Sequence, residues 1–139
     1  MELSEIASVS GKGGLFRVFK PTKSGVILES LDEIKTKMVM PATQRLSLLN
    51  EISIYTTIGE GTVPLEKVLR KIYADFGADV GVDAGSDPVE LKSFLKSVLP
   101  EYDENKVYVS DIKKLIKWYG TILAYAPEIL TTAPEEKPS

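Results

Sequence analysis

The apolar residues of this chain change their spacing near Thr56. Before it they alternate in short runs, the period of two that places every second side chain of a strand on one face. After it they recur at three and four residues, the period of an amphipathic helix. A chain of 139 residues with such a break is expected to be α+β, with a β-rich first half and a helical second half. Halves of roughly 60 residues bury only about 60% of their extended surface, so the two are expected to dock on one another.

Glycine and proline punctuate the first half, residues 1–58. Residues 6–10 read as a strand leading into Gly11-Lys12-Gly13-Gly14. A second strand, 15–20, puts Phe16 and Val18 on one face and Arg17 and Phe19 on the other. It stops at Pro21, which cannot donate to a sheet ladder. Thr22-Lys23-Ser24-Gly25 has the composition of a hairpin turn, and residues 26–31 form a third strand. In a fourth, 35–40, Thr36, Met38 and Met40 face one way and Lys35, Lys37 and Val39 the other. Residues 46–50 read as one helical turn and 52–56 as the last strand. That rhythm is the one of a small SH3-like β-barrel of the Tudor or KOW kind. A plain meander packed against the helices fits it as well.

Residues 59–126 read as a three-helix domain. The first helix opens near Pro64 and carries Leu65, Val68, Leu69, Ile72 and Phe76 on one stripe before Gly77. In the second, Asp87 caps, Pro88 opens the first turn and Glu90 completes a capping-box arrangement, ahead of the stripe Leu91, Phe94, Leu95, Val98 and Leu99. The third starts at Ser110 and Asp111 and carries Ile112, Leu115, Ile116, Tyr119, Ile122 and Leu123. Trp118 and Tyr125 flank that stripe, and Lys113, Lys114 and Lys117 take the wet side. From Pro127 the composition is that of a loose tail, 127–139.

The blocks SVSGKGGLFRV, GVILESLD and ISIYT, followed by VPLEKVLRKIY and LPEYDENKVYVSDIKKLIKWYG, resemble those of an uncharacterised bacterial family. Its two parts are each known only as a domain of unknown function. The resemblance spans residues 1–125. It implies the architecture, an SH3/Tudor-like N-terminal barrel and a helical C-terminal part, and carries over no activity and no site residue.

The chain has no His and no Cys. Zinc, haem and thiolate chemistry lose their usual ligands, and catalysis loses its commonest base and its thiol nucleophile. No G-x-S-x-G motif is present. The expectation is a protein that is not an enzyme and holds no cofactor. Cysteine-free composition, no apolar run near the ~18 residues of a membrane helix, and an N-terminus without a basic-then-apolar leader point to the cytoplasm and away from the membrane.

Two loops invite a ligand reading and fail it on spacing. The glycine cluster at 11–14 is followed by a strand and by no Lys-Ser/Thr pair, so it reads as a β-turn and not a phosphate loop. Asp79, Asp83 and Asp87 sit between helices like a calcium loop. Counted from Asp79, however, the third position is Gly81, and Glu90 at the twelfth is engaged in capping. Asp103-Glu104-Asn105 fits less well, with Lys114 where the bidentate Glu should stand. No metal site is expected.

What remains is recognition. Arg17, Phe19, Lys35, Lys37 and Tyr55 fall on outward strand faces, with Lys12, Lys20 and Lys23 near the loops. Cations interleaved with rings can hold single-stranded RNA by phosphate contact and base stacking. Against this, the charge bias is weak. Residues 1–58 hold 7 Lys/Arg and 6 Asp/Glu, and residues 59–139 hold 10 and 14, for a net of −3. Trp118 and Tyr125, one heptad apart beside a wide apolar face, are the candidate anchors for a protein partner. The reading is a non-catalytic adaptor, with a protein partner favoured over RNA and homo-oligomerisation open through strand edges.

Overall fold

In the computed structural model, which describes residues 2–9, 14–41, 45–83 and 85–131, the alternating segments pair into one antiparallel sheet. Its strands are β1 (Ile6–Val9), β2 (Phe16–Pro21), β3 (Gly25–Ser30), β4 (Lys37–Pro41) and β5 (Leu46–Leu48), in the order β4-β3-β2-β1-β5. Register follows the pleat. Val18, Leu28 and Met38 stand opposite one another, as do Val26 and Met40. With Val9, Phe16 and Leu46 they form a small apolar cluster. The alternate row is Arg17, Glu29 and Lys37, with Ile27 opposite Val39. A register shift between Val18 and Lys20 leaves Phe19 unpaired in the ladder.

The sheet does not close into the expected SH3-like barrel. Among the described residues β4 and β5 remain its edges. The strand that should have closed it pairs elsewhere: β6 (Ser53–Tyr55) lies antiparallel to β7 (Thr62–Pro64) in a separate two-stranded sheet. The connection between the second and third helices holds β6 as well. There Asp103 N–H donates to the Tyr55 carbonyl at 2.9 Å and Thr57 N–H to that of Glu101 at 2.8 Å, and Thr56 bridges Tyr102. Residues 46–50 are also not one helical turn. Leu46 and Leu48 pair with Val9 and Ala7, and only Leu49–Glu51 winds into a 3-10 turn.

The helices are α1 (Leu65–Phe76), α2 (Pro88–Val98), α3 (Val109–Tyr125) and α4 (Glu128–Thr131). Their apolar stripes are buried as the periodicity demands, with Phe76 and Leu123 only partly covered. The Asp87 carboxylate accepts Glu90 N–H at 2.9 Å, satisfying one of the free donors of the α2 N-terminus. The stretch read as a tail begins with α4, because Ile129 and Leu130 have core to bury into. Residues 132–139 lie outside the described residues.

One core joins the halves. Leu3, Ile6, Leu15, Leu31 and Leu49 from the first half pack with the stripes of α1 to α4, and Phe76 meets Phe94 with ring centroids 5.4 Å apart. Among the described residues no helix is long and apolar enough to cross a membrane.

Candidate functional site

On α3, Lys114, Trp118, Thr121 and Tyr125 follow one another at steps of four, three and four residues, and Lys117 lies three residues from Lys114 and four from Thr121, which places the five on a single stripe on one side of the helix. That stripe borders a groove of about 1030 Å³ whose other walls are β1, β5 and the α1–α2 connection. The groove thus gathers both aromatic candidates for partner binding. Trp118 is half-buried and also lines a smaller cavity of about 200 Å³ beside β6, so it seals part of the core and presents part to the groove. Tyr125, at the end of α3, is 40% exposed.

The apolar lining comes from Val9, Val80, Val82 and Leu123, and the exposed charges are Arg45, Lys114, Lys117 and Asp83. Among the described residues none of these three cations has an ion-pair partner. The Asp83 carboxylate is turned onto its own loop, where it accepts Gly85 N–H at 2.7 Å. Gly120 also lines the groove, and a Cβ there would meet nothing within 4 Å. Beneath it the Tyr119 hydroxyl donates to the Gly77 carbonyl and ties α3 to the end of α1. Burial, then the neighbouring Tyr73, push the Tyr119 phenol above its ordinary pKa.

The basic and aromatic set on the sheet is divided by the fold. Arg17, Phe19 and Lys37 come together: the Lys37 ammonium lies 4.6 Å and the Arg17 guanidinium 5.9 Å from the Phe19 ring centre, a cation–π arrangement. Carboxylates share that face, since Glu29 pairs in the ladder between Arg17 and Lys37 and Glu5 lies 3.3 Å from Arg17. The Glu2 backbone N–H, then Arg17, hold the Glu5 carboxyl below its usual range, against an opposing effect of burial. Lys20 is exposed at the end of β2 and Lys23 in the β2–β3 turn. Lys35 sits at φ 55° in the turn before β4, where Asp32 accepts its N–H at 2.9 Å. Tyr55 stands apart on β6, with the Lys106 ammonium 5.3 Å from its ring centre. Lys12 lies outside the described residues.

Among the described residues no three carboxylates converge to hold a metal ion. In the loop considered for calcium, Asp83 and Asp87 are both engaged by backbone N–H groups. Sequence reasoning passed over Arg45, Val80, Val82 and Gly120. The first three come from connections without periodicity. A glycine in the middle of an apolar helix was the one readable signal.

Family models match residues 52–123 to a domain of unknown function (DUF6852) and residues 3–49 to a second domain of unknown function (DUF5606). The join between the two matches falls in the 3-10 turn ahead of β6. The chain is similar to a protein from Bacteroides vulgatus whose solution NMR structure was a Northeast Structural Genomics Consortium target. The identity is 32% and the TM-score 0.66, over 87% of this chain and 85% of that one. Comparison with curated proteins gives no match.

Proposed function

Since the chain belongs to the family of the domain of unknown function (DUF6852), we propose its role from the surface it presents: a non-catalytic interaction protein that docks a protein partner in the groove beside α3. The observation that carries this reading is the convergence of Trp118 and Tyr125 on one groove with an apolar lining. Aromatic side chains with one face packed and one open supply much of the energy of protein interfaces at low entropic cost. The groove's ionisable groups are lysines, an arginine, tyrosines and one aspartate already engaged by its own loop. That set suits recognition better than proton transfer.

The test is selection from a displayed random-peptide library against the wild-type chain, with Gly120→Leu as the blocked competitor. Clones that bind the wild type and are lost on Gly120→Leu are expected. A selection in which no clone depends on the groove overturns the reading.

A second reading places single-stranded RNA on the outer face of the sheet. The observation favouring it is the exposed Phe19 ring between Lys37 and Arg17. Glu29 and Glu5 on the same face count against it. The Lys35→Glu/Lys37→Glu variant tests it directly: RNA retention lost with the fold intact supports it, and unchanged retention sinks it.

A further inference from the structure

The sign of charge reverses at the groove. The chain carries a net charge of −3, yet the groove is lined by Arg45, Lys114 and Lys117 against Asp83 alone. Elsewhere four cations find carboxylates, Arg17 with Glu5, Arg70 with Glu66, Lys71 with Asp75 and Lys96 with Glu104, while among the described residues others such as Lys67, Lys92 and Lys113 stand exposed without an ion pair. A lone solvated lysine says little. Here Arg45 precedes β5 while Lys114 and Lys117 belong to α3, so distant segments of the chain deliver like charge to the borders of one cleft. Like charges held together repel, and apolar walls focus their field, so the arrangement attracts anions to the cleft.

The apolar part of the lining is aliphatic and aromatic, Val9, Val80, Val82, Leu123, Trp118 and Tyr125, with Ser8, Ser47 and Thr121 among its polar residues. It suits bulky apolar side chains. Gly120 adds a third indication. A glycine inside a helix costs stability relative to alanine, and nothing within 4 Å of its missing Cβ requires it. Any larger side chain there would take up space that the groove now leaves free.

We infer, resting on the docking reading above, that the segment seated in this groove is an acidic peptide with bulky apolar anchors, its carboxylates paired with Arg45, Lys114 and Lys117. The cations steer and orient the peptide, and the apolar lining holds it.

The chain's single tryptophan lines the groove, so Trp118 fluorescence reports occupancy by tryptophan-free peptides. The probes are three acetylated octapeptides: Glu-Glu-Leu-Phe repeated twice, and the same peptide with Gln or with Lys in place of every Glu. The acidic peptide is expected to saturate, with the Gln peptide about tenfold weaker and the Lys peptide weaker still. Raising salt from about 50 to about 500 mM should weaken the acidic peptide by about tenfold. The variant Arg45→Gln/Lys114→Gln/Lys117→Gln should do the same without changing the melting curve or the affinity for the Gln peptide.

If the Gln peptide binds as tightly as the acidic one, or the Lys peptide binds best, the acidic assignment is overturned while docking stands. If no peptide perturbs Trp118, the docking reading falls and takes the inference with it. If a uridine oligonucleotide displaces the acidic peptide at lower concentration, the partner is a nucleic acid and the inference is overturned.

Discussion

At Gly25 the β3–β4 ladder brings the two backbones so close that a side chain would collide with the Met40 carbonyl, an atom held by its own strand. Nothing flexible is there to move aside. Gly25→Ala is therefore expected to destabilise the fold by about 2 kcal/mol, read as a lower urea midpoint with an unchanged slope; an unchanged midpoint would show that the two strands can part without cost. Gly120 makes the opposite case. It has ordinary helical surroundings and open space at the Cβ position, so Gly120→Ala should raise stability by about 0.5–1 kcal/mol. A loss of stability would mean that the fold itself needs this glycine, and the functional argument from it would fail. The sequence sets one glycine in a turn and the other inside a helix, but only the packing around them shows which can bear a side chain.

Among the elements, α2 shows how much of a helix can be fixed by its first turn. Asp87 accepts from Glu90 N–H and Pro88 removes a donor that would otherwise lack a partner. Asp87→Ala should cost about 1 kcal/mol in thermal unfolding, and Asp87→Ser should recover most of it; equal loss in both variants would show that the carboxylate acts by charge instead of as a cap. Helices α1 to α3 were legible in the sequence because a stripe such as Leu91, Phe94, Leu95 and Val98 and a cap such as Asp87 are local signals, whereas the single turn of α4 is too short to show a period. The faces of β2 to β4 were legible for the same reason: Phe16 and Val18 went inward, and Arg17 and Lys37 outward. Strand partnership was not. Residues 52–56 alternate whether they pair with β1 or with β7, and only the hydrogen bonds from residues 101–103 show which half claims them. The groove follows the same division. Trp118 and Tyr125 stood out at heptad spacing on a periodic helix. Arg45, Val80 and Val82 come from connections with no period, and their meeting is a product of the tertiary fold.

For the molecule as a whole, the decisive fact is that two family-model matches, 3–49 and 52–123, share one hydrophobic core. Leu3, Ile6, Leu15, Leu31 and Leu49 are buried against the helices and not only within the first sheet. The sheet's private cluster is small, with Val9, Phe16, Leu28 and Met40 at its centre. A unit with so little apolar interior falls below what an independent domain of this size needs. The chain should therefore unfold in a single cooperative transition. Two probes can report separately: near-ultraviolet circular dichroism of Trp118 on α3, and a fluorinated phenylalanine introduced at Phe16 on β2. Their urea midpoints should coincide, and their slopes should both fall within about 1–3 kcal/mol per molar. Residues 2–51 expressed alone should lack fixed tertiary structure, because Leu15, Leu31 and Leu49 would face water. Residues 52–131 alone should keep helical content and lose the sharp transition. Two separated midpoints in the intact chain, or a first-half fragment that folds unaided, would show that the sheet stands on its own cluster and that the shared core is only a contact between two finished domains.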